Sequence, residues 1–296
     1  MMKAIKGRAA GLVVAIALCI AQFSISAKAG ERGGFDHRRG GSTLSDSARE
    51  DLGDLREAQD RGLLSHFRAN VQLNTQFVSN AALRGNHGSG DFIFNPVGEV
   101  GFNAPLGHGF TLDMVGRLET VVYSRFNERS FWGYSGAATL EWQMRRWPQF
   151  FVSVEPYRFA DFSGADTIAE AVGISEGVDH SIVINKGRSL LFGGYAFTSY
   201  FATPAADNRD THRLLVGITH QLTPRLFAQI YYSWEYLIYQ EYDRQDSRNV
   251  GGLSLIYRFG GNLFGNIGAN LVDNDSNVGL GNYQNFILRS GLNLQF

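Results

Sequence analysis

The chain has 296 residues, a formal net charge of -1, a single cysteine and 35 glycines. The near-neutral balance excludes the basic surface that nucleic-acid binding needs, and one thiol excludes a disulfide-stapled fold. Beyond the N-terminal segment no stretch approaches about eighteen consecutive apolar residues, which excludes a helical membrane protein.

Residues 1–29 read as a secretory signal peptide. Lys3, Lys6 and Arg8 precede the apolar run Ala9–Ile20, and Ala27-Lys28-Ala29 supplies a cleavage site before Gly30. Leu18 stands where a lipoprotein site at Cys19 would want a small residue. Cleavage removes the only cysteine and four basic residues (Lys3, Lys6, Arg8, Lys28), taking the formal charge from -1 to -5. The 267 residues left suit one large domain with no thiol chemistry.

Residues 30–64 form a separate segment. Gly30–Gly41 is rich in glycine and charge. Ser47 and Glu50 make a capping-box pattern, and Ala48, Leu52, Leu55 and Ala58 follow at helical spacing. A short periplasmic helix near 48–61 is therefore expected, with Gly53 costing it about 1 kcal/mol relative to alanine.

From residue 65 to 296 the period changes to two. Phe67, Ala69, Val71, Leu73, Thr75 and Phe77 share one face, while Arg68, Asn70, Gln72, Asn74 and Gln76 share the other. Further strands are expected near 91–104, 109–124, 131–146, 150–160, 189–203, 210–222, 225–240, 248–260, 263–273 and 282–296. A twelfth is placed within Thr167–Ile184, because single-chain bacterial barrels have even strand numbers. It is the weakest, since Glu170 and Glu176 fall on its apolar face, and ten strands is the alternative. Alternate connections are tight: Pro105-Leu106-Gly107, Trp147-Pro148, Lys186-Gly187, Thr223-Pro224 and Gly260-Gly261-Asn262. The others are more polar and often longer: Ala81–Gly90, Arg125–Ser130, Pro204–Asp210, Glu241–Ser247 and Asn274–Asn282. Aromatic residues cluster near strand ends, as in interfacial girdles. A soluble β-sandwich with an aromatic core would explain the aromatic residues, but not the leader and the loop asymmetry with them.

The chain ends inside a strand, with Phe286, Leu288, Leu292, Leu294 and the terminal Phe296 on one face. This terminus resembles the assembly signal of bacterial outer-membrane barrels. With hairpin patterns such as Leu253-Ser-Leu-Ile-Tyr-Arg-Phe259, it makes residues 66–296 resemble the outer-membrane β-barrel superfamily, most closely porin-like barrels of unassigned substrate. A helix followed by twelve strands also resembles an autotransporter translocator, although about 35 residues before the barrel leave no room for a substantial passenger. The resemblance implies an all-β, transmembrane antiparallel up-and-down barrel in the outer membrane, with both termini periplasmic. Its implied partners are outer-membrane lipids and the barrel assembly machinery; no nucleic acid and no cofactor are expected.

The inward face carries Arg68, Arg117, Arg145, Arg213, Arg225, Arg258 and Arg289 against Glu99, Asp113, Glu119, Glu141, Glu155 and Glu235, with Asp179 added by the weak strand. These balance, so they read either as mutually paired structural charges or as the lining of a solute path. Arg68, Arg145, Arg225 and Arg258 would ring the periplasmic mouth, where the acidic helix could dock as a plug. The seven histidines form no tight metal-binding pair, and neither a nucleophile elbow nor a phosphate loop appears. The expected function is a narrow channel for ions or small polar solutes. The alternatives are a closed structural barrel filled by Phe192, Tyr231, Tyr239 and the charges, and a lipid-modifying enzyme.

Overall fold

The computed structural model describes residues 66–81, 89–143, 148–162, 167–203, 205–241, 243–260 and 262–296. The expected signal peptide and the helix near 48–61 lie outside them. Twelve strands follow one another: β1 (Phe67–Val78), β2 (Asp91–Gly107), β3 (Phe110–Tyr123), β4 (Phe131–Gln143), β5 (Gln149–Asp161), β6 (Thr167–Ile184), β7 (Ser189–Thr203), β8 (Arg209–Thr223), β9 (Leu226–Tyr239), β10 (Arg244–Gly260), β11 (Leu263–Ser276) and β12 (Tyr283–Gln295). Each pairs antiparallel with its chain neighbours, and β12 returns to β1 to close the barrel. Closure removes the edge strands that would otherwise leave backbone groups unpaired in lipid.

The burial pattern has the period of two that the sequence carries, and it is inside out. Leu271 (66 % exposed), Ile230 (60 %) and Leu253 (51 %) face outward, whereas Gln72 (2 %), Gln229 (0 %) and Asn270 (1 %) face the lumen. An apolar exterior, with polar residues inside beside a cluster that includes Ile93, Leu215 and Val250, suits a barrel whose outer solvent is hydrocarbon. The uncertain strand is complete: β6 is 18 residues long and paired along both edges, and Glu170 and Glu176 face outward as their phase required.

The connections at the two rims differ. At one rim β2 runs on through Pro105-Leu106-Gly107, and the turn is His108-Gly109, both at positive φ (53° and 82°). That is the signature of a type I′ hairpin, whose twist matches the strands it joins. At the other rim the links are longer, although β10 begins at Arg244 and absorbs much of the expected loop Glu241–Ser247. Here β9 aromatics donate to polar partners on β10: Tyr232 to Asn249 (2.6 Å), Trp234 to Ser247 (3.1 Å) and Tyr236 to Gln245 (2.5 Å). Rings whose polar ends are bonded and whose bodies meet lipid belong at a membrane interface. Also at this rim, the Asp91 carboxylate accepts from the Ser124 hydroxyl (2.6 Å) and from the backbone N–H groups of Arg125 and Phe126. Those bonds tie the β3–β4 loop to β2.

Candidate functional site: the lumen

The inner wall is built from cross-strand pairs in which a large side chain covers a glycine. Phe159 lies opposite Gly133, Phe151 opposite Gly177, Tyr200 opposite Gly173, Phe192 opposite Gly217 and Tyr231 opposite Gly252. A methyl group on Gly177 would stand 2.6 Å from the Phe151 ring, and one on Gly173 would stand 3.0 Å from the Tyr200 ring. At Gly133, Gly217 and Gly252 it would overlap the facing ring outright. Glycine is weak in a strand interior, and its recurrence beneath rings is explained by this close approach. The rings therefore lie flat on the wall.

Charge is the second feature. Among the described residues, the inner faces of β2–β6 carry Asp91, Glu99, Asp113, Glu119, Glu141, Glu155, Asp161 and Asp179 against Arg117 alone. The inner faces of β8–β12 and β1 carry Arg209, Arg213, Arg244, Arg248, Arg258, Arg289 and Arg68 against Glu235 and Asp246. Strand order puts these groups on opposite halves of the closed barrel. Between them, β7 contributes no charged inner residue, and β1 above Arg68 presents Asn70, Gln72, Asn74 and Gln76.

Within the basic half, Glu235 (1 % exposed) bridges two arginines. Arg248 Nη2 is 2.9 Å from one carboxylate oxygen, and Arg213 Nε is 3.5 Å from the other. Near the long-loop rim Arg244 pairs with Asp246 and lies over the Tyr239 ring at 4.6 Å, while Arg209 lies over Tyr200 at 4.5 Å. Both are cation–π contacts. Asp207, in the 3₁₀ turn Ala205–Asp207 beyond β7, is buried, which pushes its carboxyl pKa up while Arg209 and Arg244 oppose the shift. In the acidic half, Arg117 pairs with Glu119 (2.9 Å). At the seam, Arg68 holds Asp113 through two hydrogen bonds of 2.9 and 3.1 Å. The pairs just described run along the wall rather than across the lumen.

Most sequence-predicted lumen residues stand on inner faces: Arg68, Glu99, Asp113, Arg117, Glu119, Glu141, Glu155, Arg213, Glu235, Arg258 and Arg289. Arg225 does not. It occupies the exposed β8–β9 turn, where the chain reverses before the inward phase of β9 begins. Arg145 lies outside the described residues. A ring of Arg68, Arg145, Arg225 and Arg258 is thus not assembled by the described residues, since Arg68 is engaged by Asp113 and Arg225 points to solvent. Sequence reasoning missed Arg209, Arg244, Asp246 and Arg248. The outward partners on β10 are Gln245, Ser247 and Asn249, so no polar–apolar contrast marked the strand. The available signal was phase: Arg244, Asp246 and Arg248 are in step with Ser254 and Ile256. The assembly-signal residues Phe286, Leu288, Leu292, Leu294 and Phe296 all face outward, and Phe296 closes the barrel through backbone bonds with Ala69 of 2.9 and 3.2 Å.

Residues 201–296 match the family model described as "Putative beta-barrel porin 2". The molecule is a closed twelve-stranded antiparallel β-barrel whose last third matches that family's model. An outer membrane channel from Pseudomonas putida F1 shares this barrel fold at a TM-score of 0.50, with 12% identity over 78% of this chain and 95% of that one. The translocator domain of the autotransporter NalP from Neisseria meningitidis gives 0.45, 15% identity, and 86% and 98% coverage. A KdgM porin in complex with disordered oligogalacturonate gives 0.44, 10% identity, and 77% and 99% coverage. Likeness at these identities is one of fold. No curated protein sequence matches the chain.

Proposed function

We propose that this barrel is a narrow channel for small polar solutes, with its short-turn rim and both termini periplasmic and its longer loops outside. The orientation rests on parity: with twelve strands, β1 begins and β12 ends at the short-turn rim, which is periplasmic in outer-membrane barrels. Twelve strands lie between the eight that side chains can fill and the sixteen that leave a wide channel. The single observation that carries the channel reading is the glycine–aromatic pairing. Phe192 and Tyr231, which could have filled the lumen, are laid against Gly217 and Gly252. Beside buried aliphatic residues such as Leu215, Val250 and Ile256, the inner faces carry charged and amide side chains, which require water or polar partners.

We read the barrel as non-catalytic. Ser199 donates to Asp210 (2.7 Å), while His212 Nδ1 is hydrogen-bonded to the Tyr195 hydroxyl (2.7 Å), so that histidine does not activate that serine. Ser189 and His220 are 2.8 Å apart, with no carboxylate bonded to the ring among the described contacts. Single-channel recording in planar bilayers tests the reading. The wild type should conduct, and Phe192→Ala and Tyr231→Ala should change its conductance little. A silent wild type that Tyr231→Ala opens would establish the closed barrel instead.

A further inference from the structure

The seam that closes the barrel is its shortest junction. β1, at 12 residues, is the shortest strand, and it aligns nine residue pairs with β12, where β6 and β7 align fifteen. On the lipid side of that seam stand two hydroxyls. Thr75 and Ser290 lie opposite each other, both exposed, with their oxygens 2.9 Å apart. Thr75 sits between the outward Leu73 and Phe77, and Ser290 between Leu288 and Leu292, in the middle of the apolar band. In the same row, Phe94 on β2 flanks Thr75 and Ile267 on β11 flanks Ser290. Two small polar residues thus make a dip ringed by six large apolar ones, and a groove along the outer wall runs through it.

Two hydroxyls carry two hydrogens, of which their mutual bond uses one. Among the described residues neither hydroxyl has another hydrogen bond, so one donor faces hydrocarbon. An acyl chain fills the dip but offers no acceptor, and the donor keeps its desolvation cost. A second barrel offers acceptors. Strands tilt by about 35–45°, so the facing walls of two upright barrels cross at about 70–90° and meet around one point. Small residues at that point let the backbones approach, which favours association where lipid supplies no hydrophobic drive. A two-fold axis through the seam brings hydroxyl pair against hydroxyl pair.

We propose that the outward face of the β12–β1 seam is the contact for a second copy of this chain, with the Thr75 and Ser290 hydroxyls of both copies bonded across the two-fold axis. The contact also covers the shortest junction of the barrel. It does not depend on whether the lumen conducts.

The test counts barrels in lipid vesicles at low protein density. Protein labelled through Asp243→Cys, exposed beside the long loops, should bleach in two steps more often than random co-occupancy allows. Thr75→Val with Ser290→Ala removes both hydroxyls at nearly constant size and should raise the dissociation constant about three- to tenfold, the effect of losing such a bond inside a bilayer. Thr75→Leu with Ser290→Leu fills the dip and should abolish pairing. Ile174→Ala, on the opposite wall, should leave pairing unchanged. Wild-type barrels that pair only at the random rate would overturn the proposal, as would pairing that survives the two leucines or falls equally with Ile174→Ala. A monomeric wild type that retains a lipid lost from the leucine variant would overturn it in favour of an acyl chain in the dip. The wild-type count needs no seam substitution, so the proposal stays testable if either double variant fails to fold.

Discussion

Glu235→Gln is the substitution whose consequence the structure fixes most closely. The carboxylate is 1 % exposed and compensates Arg248, itself 1 % exposed, at 2.9 Å, with Arg213 at 3.5 Å on its other oxygen. Glutamine keeps the shape and one acceptor but removes the charge, leaving two guanidiniums beside each other. Removing one partner of a buried ion pair typically costs about 3–5 kcal/mol, because the surviving charge stays desolvated. An exposed pair costs only about 0–1 kcal/mol. Burial at 1 % argues for the first range, and a hydrated lumen lowers the figure, so we expect a loss of about 3 kcal/mol. Urea titration of the barrel in lipid vesicles, followed by tryptophan fluorescence, measures it. The double variant Glu235→Gln/Arg248→Gln should recover part of the loss, since it removes the uncompensated charge as well. A single-variant cost under about 1 kcal/mol would show that solvent screens the cluster and would refute the argument.

Three other outcomes are expected. Deleting Phe296 should lower outer-membrane abundance more than Phe296→Ala does, because only deletion removes the backbone bonds to Ala69; equal abundance of both, read on immunoblots of membrane fractions, would count against this. Cysteines placed at Ser89 and Asp243, both exposed at the long-loop rim, should react with an impermeant thiol reagent on intact cells. Reaction only after the outer membrane is breached would invert the topology. Asp207 has a carboxyl pKa held above its ordinary 3.8 by burial, so the folded state prefers it protonated and its contribution to stability falls as pH rises through that raised value. Asp207→Asn should therefore flatten the pH dependence of the urea midpoint above about pH 4 without lowering stability at neutral pH; an unchanged slope would contradict the burial argument.

The fold was legible because a membrane barrel writes its two solvents into alternate residues. Leu226, Ile230 and Tyr232 against Gln229, Ser233 and Glu235 give the phase of β9 without ambiguity. Legibility ended where the outward face stopped being apolar. On β10 the long-loop end presents Gln245, Ser247 and Asn249 outward; Arg244 and Asp246 were lost to a supposed loop, and Arg248, the first residue of the expected strand, was not assigned to the inner face. Arg225 failed in the opposite way, its phase correct in sequence but interrupted by the turn at Pro224. The glycine–ring pairs were also hidden, since Gly217 and Phe192 are joined only by the register of β7 on β8. An overall charge tally concealed the polarity of the lumen, which appears only when the charges are sorted by strand.

That sorting is hard to explain by stability alone. Interleaved charges would let each arginine meet a carboxylate on the adjacent strand, as Arg248 meets Glu235. Segregation sets like charges side by side along each wall. Two like charges about 10 Å apart repel by about 0.4 kcal/mol in bulk water, but by about 1.7 kcal/mol at an effective dielectric of 20. Eight carboxylates on the inner faces of β2–β6 make many such pairs, so the total is tolerable in a hydrated lumen and severe in a dry one. A barrel packed shut would press its acidic and basic walls together and pair them directly. Arg68 and Asp113 pair where the two walls meet, while the other ion pairs described run along a wall.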